Sequence, residues 1–391
     1  MAESRYMTIN MGPQHPATHG VLRLLLELDG EIIVKAEPHL GYLHRGIEKL
    51  SESMTYPQAL TLTDRLDYTS ALSNNLAYCL AVEKLLDIKI PKRAQYLRVL
   101  MAELQRIAAH LLWVATHALD LGAMTLLFYA FRERETILEI LELATGARLT
   151  PSFIRIGGLA SDIPATFLPR VKAFVEDFPR RVDDYETLLT ENIIWKKRTT
   201  NIGALSAEEC IRYGVRGPVM RAACLCYDVR KAYPYSSYED FDFEIPLGSH
   251  GDVYDRYLVR MKEMRQSNRI VKQAAEKLPD GPFAAVDAPL VVPPAKEEVG
   301  RDIAALIRHF KIMQEGFRPP CGEVYASIES SKGELGFYLI SDGTNKPFRM
   351  RIRPPSFINL AALPKMIEGQ MVADVVAAIG SIDIVLGEID R

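Results

Sequence analysis

The sequence predicts an α+β fold that is mostly α, with a central bundle of long helices and small antiparallel β regions. The helical part rests on an apolar stripe at three- and four-residue steps: Leu97, Leu100, Leu104, Ile107, Leu111 and Val114. Alternating apolar patterns with Asp-Gly and Lys-Gly turns predict strands near both ends of the chain. Because several helical patterns are long, we expect them to pack into a bundle.

The first 55 residues are expected to form an N-terminal loop and β-hairpin region. The segment VLRLLLELDGEIIVKAEPHL reads as two strands that turn at Asp29-Gly30. The preceding MGPQHPATHG is rich in Gly and Pro and predicts a loop, which we expect to move when the site is empty.

Residues 56–391 are expected to form the helical core as a single structural unit. A β segment lies near 320–355, with turns at Lys332-Gly333 and Asp342-Gly343. Further helices are predicted at 56–87, 125–146, 168–190, 206–213, 252–277, 296–314 and 364–379.

One apolar run, from His110 to Phe131, is long enough to resemble a membrane span. Asp120 lies in the middle of this run, and Gly122 weakens a helix there. We therefore expect two buried helices joined near Gly122, and a chain that meets a membrane through partners.

Bulk composition excludes few functions. The chain has 391 residues and a net charge of −3, so no basic surface argues for nucleic acid. Five cysteines, an odd number without CxxC pairs, predict free thiols in a reducing compartment. Cys224 and Cys226 could suggest a metal, but two packed thiols fit their spacing better.

Several polar residues stand out as functional candidates, each with a structural alternative. His15 and His19 flank a loop, where they could do chemistry or simply face solvent. Asp64 and Tyr68 are spaced to share one helix face, as a reactive pair or as a surface hydrogen bond beside a packed aromatic ring. Asp120 sits in so apolar a run that it must be paired or have a raised pKa.

Three arginines, Arg349, Arg351 and Arg353, alternate along one predicted strand and share a face. They could bind a partner's carboxylates or line a wet surface. The chain has no GxGxxG motif with a following acidic residue, no P-loop and no nucleophile elbow, so we expect it not to bind NADH itself.

The motifs together resemble one family over nearly the whole chain. GPQHPATHGVLRLLLELDGE, HLGYLHRGIEKL, LTDRLDY, VLMAELQRIAAHLLWVATHALDLGA, FRERE, DVRKAYPYSSYEDFDFEIPLGSHGDVYDRYLVRMKEMRQS and DIVLGEIDR follow each other in the family's order. They are similar to the D subunit of respiratory complex I, the proton-pumping NADH:quinone oxidoreductase. That family resembles the large subunit of nickel–iron hydrogenases.

The resemblance implies a vacated metal cavity. Hydrogenases of that class bind their metals through two CxxC pairs, and this chain has RLDY and GEIDR at those places. The cavity would then receive the headgroup of a quinone, with no metal or flavin on this chain.

By position, His19 and Tyr68 resemble the residues that hydrogen-bond the quinone carbonyls, and Asp120 resembles the carboxylate that pairs with the histidine. Val385 resembles a residue near the quinone pocket. Arg45 and Arg65 resemble arginines close to a 4Fe–4S cluster on a partner subunit.

The implied partners are the other complex I subunits: the B subunit with the terminal cluster, the C and I subunits, and the H subunit in the membrane. The implied location is the cytoplasmic side of a bacterial inner membrane, where partners hold the chain peripherally.

One position departs from many relatives. GARLTPSFIRIGG has Thr150 where they have a histidine that is thought to couple cluster reduction to proton uptake. We expect a cluster potential that is lower and less dependent on pH, suited to a menaquinone. Redox titration of the assembled complex at several pH values tests this expectation, which a steep pH slope would contradict.

Other readings remain open at this point. The chain could serve a related quinone-reducing complex with a different electron donor, or act as a scaffold without a catalytic role. An active hydrogenase is disfavoured by the missing cysteines.

Overall fold

A computed structural model describes residues 6–15 and 20–391 of the chain. Helix α4 (Lys92–Asp120) runs through the main hydrophobic core. Around it pack α3 (Ala71–Leu86), α5 (Met124–Thr145) and α11 (Val253–Glu276). The predicted mostly α fold with a central helical bundle is confirmed.

The shorter and outer helices complete the bundle. They are α1 (Ile47–Ser51), α2 (Tyr56–Thr63), α6 (Phe167–Leu189), α7 (Ile193–Thr199), α8 (Ala207–Tyr213), α9 (Pro218–Ala222), α10 (Val229–Ala232), α12 (Lys296–Val299), α13 (Ile303–Glu315), α14 (Pro355–Ala361), α15 (Leu363–Ile367), α16 (Val372–Ile382) and α17 (Leu386–Asp390).

The apolar stripe of α4 is fully buried, as the periodicity predicts. The helix ends at Asp120, Gly122 adopts a φ of 93°, and α5 begins at Met124. The apolar run from His110 is therefore the end of one helix and the start of the next. Within the described ranges, every helix is too short or too polar to traverse a bilayer.

Three predicted helices are each two helices in the structure. The region 56–87 breaks at 64–70, because the Asp67 carboxylate accepts hydrogen bonds from the backbone and hydroxyl of Thr69 and so competes with helix formation. The region 296–314 breaks after α12. The region 364–379 breaks at Gly369, whose N–H donates to the carbonyl of Ile33 at 2.8 Å.

The N-terminal sheet has three antiparallel strands: β1 (Met7–Met11), β2 (Arg23–Asp29) and β3 (Ile32–His39). The predicted hairpin is present, and Gly30 takes the positive φ of 63° that its turn requires. Strand β1 was not predicted. Leucines of β2 alternate into a second hydrophobic core formed with the C-terminal helices.

The second sheet is antiparallel in the order β6 (Gly322–Glu329), β7 (Glu334–Ser341) and β8 (Arg349–Arg353), as predicted. A small pair, β4 (Ile154–Arg155) and β5 (Gly158–Leu159), lies between α5 and α6. The three arginines of β8 form ion pairs with Glu52, Glu48 and Glu334 of the same chain.

The five cysteines are free thiols. Cys224 and Cys226 are exposed in the segment that follows α9, so the prediction that they are packed was wrong. Their backbone has left the helix, so no helical core surrounds them.

Candidate active site at the C-terminal segment

Two segments far apart in sequence meet around Arg45. One guanidinium nitrogen, Nη2, donates to the carbonyl of Arg65 at 2.9 Å and to the carbonyl of Gly387 at 2.7 Å. A Cβ added to Gly387 would lie 2.7 Å from the carbonyl oxygen of Leu66. The approach of α17 to the turn after α2 therefore requires glycine at this position.

The end of the chain is anchored by residues 41–44. The Asp390 carboxylate accepts from the N–H of Gly41 at 2.9 Å and of Leu43 at 2.7 Å. His44 Nδ1 lies 2.6 Å from the backbone oxygen of Asp390. Val385, the residue immediately before α17, is buried in this segment.

A buried cluster of charges lies where these segments meet the turn between β6 and β7. Lys332 Nζ is 3.1 Å from Asp67 Oδ2 and 3.4 Å from Asp383 Oδ2, and it donates to the hydroxyl of Thr69 at 2.9 Å. Burial lowers the pKa of Lys332, but the charges of Asp383 and Asp67 raise it further, so the net shift is upward. The lysine therefore stays charged inside the protein.

Glu388 adds a third carboxyl to this cluster and is fully buried. Its Oε1 accepts from the N–H of Ser356 at 2.7 Å. Burial, with the negative charge of Asp67 second, raises the pKa of Glu388 to about 7. This carboxyl can therefore gain or lose a proton near neutral pH.

Tyr68 lies beside the buried cluster with 41% of its surface exposed. Burial of the rest raises the pKa of its phenol, Asp67 raises it further, and Lys332 opposes both. The hydroxyl is therefore protonated at neutral pH and available as a donor.

Asp64 does not share a helix face with Tyr68, so that prediction was wrong. Helix α2 ends at Thr63, and Asp64 turns into the protein, where the hydroxyl of Ser152 donates to it. Burial raises the pKa of Asp64.

Asp120 is half-buried and is the last residue of α4, which agrees with the predicted junction of two helices near Gly122. His19 and most of the HPATH loop lie outside the described residues, so the pairing of His19 with Asp120 and the movement of the loop stay predictions. A Cβ on Gly20 would lie 3.8 Å from the side chain of Leu386, so the described end of the loop borders α17.

A second set of buried charges, in the middle of the bundle, was missed by sequence reasoning. Arg230 pairs with Asp228 at 2.6 Å and with Glu103 at 3.1 Å, and Arg106 pairs with Glu103 at 3.1 Å. The sequence does contain a signal for these buried charges, because α4 carries charged residues but lacks a continuous polar face. Such charges have to be paired inside the protein.

The set extends toward the cluster of Lys332. Arg221 pairs with Glu263 at 2.6 Å, and Glu263 lies 3.0 Å from His110. Arg260 is buried with its guanidinium 4.3 Å above the ring of Trp113. Burial lowers the pKa of Arg260 to about 10, and the charge of Asp383 opposes this shift.

A cavity bounded by described residues lies elsewhere. It measures about 770 Å³, and its lining includes Tyr233, Tyr235 and Tyr325 but not Tyr68. Among the described side chains, no three His, Cys, Asp or Glu are grouped as metal ligands would be.

Comparisons with known proteins agree on one family. The model of the respiratory-chain NADH dehydrogenase 49 kDa subunit matches residues 120–391. The NADH-quinone oxidoreductase D subunit of Geotalea uraniireducens (strain Rf4) is 58% identical over 391 residues, all of both chains. That of Geobacter sulfurreducens is 56% identical over the same length, and the D 2 subunit of Chloroflexus aurantiacus is 57% identical over 98% of this chain and 94% of its own.

The fold and these matches define a component of a quinone-linked oxidoreductase complex. The chain belongs to the family of NADH-quinone oxidoreductase D subunits, the 49 kDa subunit of respiratory complex I. The family and enzyme class predicted from the motifs are thereby confirmed, and its partners are other subunits of that complex.

Proposed function

We propose that this chain forms the site where the quinone headgroup is reduced to quinol. The proposal rests on Tyr68, a protonated and half-exposed phenol beside buried charges, where the turn after α2 meets the C-terminal segment. Val385 immediately precedes the helix of that segment and would border the headgroup.

Reduction of a quinone to a quinol takes two electrons and two protons, and a dry pocket disfavours a quinol dianion. Tyr68 can donate a hydrogen bond to one carbonyl and then transfer a proton. His19 would serve the other carbonyl, with Asp120 keeping its imidazole charged until it delivers its proton. A 4Fe–4S cluster on the B subunit would supply the electrons.

Arg45 and Arg65 would act on that cluster through their charge. Arg45 donates to the backbone carbonyl of Arg65, and burial and the nearby charge of Arg65 lower the pKa of Arg45. Positive charge at this place would favour the reduced form of a neighbouring cluster.

The B, C, I and H subunits would cover parts of the surface and complete the pocket. Large apolar side chains that remain exposed include Phe128, Ile193, Leu290 and Phe310. Such residues commonly mark contacts with partners. We place the assembled chain at the cytoplasmic side of the bacterial inner membrane, with quinone reduction coupled to proton pumping.

Two other readings make different predictions. A scaffold without a catalytic role predicts that Tyr68 is dispensable. An equivalent complex with another electron donor predicts the same site but a different input module, and the subunits that co-purify with the chain decide this point.

Tyr68→Phe tests the proposal. The change removes the hydroxyl and keeps the ring, and a lost hydrogen bond to developing negative charge costs on the order of 2–4 kcal/mol, so quinone reduction should fall by roughly one to three orders of magnitude. The reductase activity with short-tailed quinones should fall most, because their short tails contribute little binding energy to compensate for the lost hydrogen bond. The measurement is NADH:quinone reductase activity of the assembled complex.

Tyr213→Phe is the matched control, because Tyr213 is 42% exposed at the end of α8 and outside the site. NADH oxidation with an artificial acceptor that takes electrons upstream should be unchanged in both variants. A Tyr68→Phe complex that reduces quinone at the unsubstituted rate would refute the proposal.

A further inference from the structure

The cluster beside Tyr68 holds more negative than positive groups. Asp67 and Asp383 pair with Lys332, Glu388 acts on it from a greater distance, and all four are buried. Full ionisation would leave a net charge of −2 (three carboxylates and one ammonium). Arg260, which faces Asp383, offsets one further charge. An excess of buried negative charge is costly, so one carboxyl should hold a proton.

The contacts of the three carboxyls indicate that Glu388 is the one that holds the proton. Lys332 lies within 3.4 Å of both aspartates, whereas no ion pair joins Glu388 to any residue in the described part of the chain. One oxygen of Glu388 accepts from the N–H of Ser356, and within the same ranges the other, Oε2, receives no hydrogen bond; the same holds for Oδ2 of both aspartates, but each of those faces the Lys332 ammonium. A neutral carboxyl tolerates this environment better than a carboxylate.

The surroundings of Glu388 confirm which charges it faces. Asp67 and Lys332 act on it from the turn after α2 and from the turn between β6 and β7. Helix α14, which packs on α17, contributes Ser356 and no charged residue. Arg45 donates to the backbone carbonyl of Gly387, the residue before Glu388.

We propose that Glu388 stores the proton that replaces the one Tyr68 gives to the quinone. This inference rests on the proposed role of Tyr68. The close approach of Gly387 to the carbonyl of Leu66 brings Glu388 to the turn that carries Asp67 and Tyr68. When the Tyr68 O–H bond breaks and a quinol O–H bond forms, a phenolate is left beside the buried cluster. The proton of the Glu388 carboxyl then restores the phenol, so the net change converts a phenolate and a carboxylic acid into a phenol and a carboxylate. Glu388 afterwards takes up a new proton from solvent.

Glu388→Gln tests the proposal in the assembled complex. The amide can keep the bond from Ser356 but has no proton to pass on. Groups that transfer protons contribute about 10²–10⁴-fold to rates, so we expect quinone reduction to fall at least roughly tenfold. In the unsubstituted complex the rate should fall as pH rises through about 7, because Glu388 then loses its stored proton. The Gln variant should lack this step.

Asp64→Asn is the control for loss of a buried carboxyl, because Asp64 faces Ser152 and not Lys332. It should keep the unsubstituted pH profile. If the Gln variant fails to assemble, Glu388→Asp is the second test. Its shorter side chain withdraws from Ser356, so the midpoint of the fall in activity with pH should move while activity is partly retained.

The proposal would be overturned if Glu388→Gln kept the rate and pH profile of the unsubstituted complex. It would also be overturned if the pH midpoint of Glu388→Asp did not move. These outcomes are distinct from failure of the proposed function, which requires that Tyr68→Phe retain full activity.

Discussion

Two groups of buried charges in this chain behave in opposite ways. In the middle of the bundle, Arg106 and Arg230 neutralise Glu103 and Asp228. Burial raises the pKa of Glu103, but the two arginines lower it to about 2. Beside Tyr68, Lys332 pairs with Asp67 and Asp383, and burial raises the pKa of the third carboxyl, that of Glu388, to about 7. Matched charges are fixed and hold the helices together, whereas unmatched charges can exchange protons.

Arg230→Met, which removes a cation from the matched group, should have the largest effect of the three substitutions described here, a loss of stability. Two buried carboxylates would lose their shared cation, and removing one partner of a buried pair costs about 3–5 kcal/mol. The free energy of unfolding of the full chain, from chemical denaturation, measures this. Lys231→Met is the control: this neighbour is exposed and lies over the ring of Phe243, so its loss should cost about 0.5–1 kcal/mol. Equal losses in the two variants would show that the buried pairs do not stabilise the fold.

Glu388→Gln should change how stability depends on pH. The folded pKa is raised from 4.5 to about 7, so the folded chain binds more protons in that window. Stability of the unsubstituted chain therefore falls as pH rises from 4.5 through 7, by roughly 3 kcal/mol at about 1.4 kcal/mol per pKa unit. The Gln variant should lack this fall, and denaturation curves across the window measure the difference. Parallel curves would contradict the assignment of the unmatched proton to Glu388.

Asp120→Asn should have the smallest effect of the three. The amide is nearly isosteric, so assembly should be normal, but it cannot hold His19 charged. Quinone reduction should fall by roughly tenfold, which is less than the 10²–10⁴-fold contributed by a group that transfers the proton itself. Activity across the pH range is the measurement, and equal rates at every pH would make Asp120 a structural polar residue.

The sequence predicts what depends on local pattern. The stripe on α4, the break near Gly122 and the turns at Asp29-Gly30, Lys332-Gly333 and Asp342-Gly343 all follow from periodicity and turn residues. The break after Thr63 does not, because it depends on Thr69 bonding Asp67 and on Ser152, 88 residues away from Asp64. Chain folding, and not spacing, decides where these side chains point.

The candidate site likewise has a part that the sequence predicts and a part that it does not. The resemblance indicated Tyr68 and Val385, and the structure places both segments together. Lys332 was not predicted as a residue of the site, because a lysine before a turn glycine ordinarily faces solvent. Its burial depends on carboxyls at positions 67, 383 and 388, which come together only in the folded chain.

Photolabelling of the assembled complex tests the central claim most directly. A quinone carrying a photoreactive group on its ring would be irradiated in place and the modified peptides identified by mass spectrometry. We predict labels within Arg65–Ser70 and Asp383–Arg391 that disappear when excess unlabelled quinone is present. Labels confined to other subunits, or insensitive to that competition, would contradict a headgroup site on this chain.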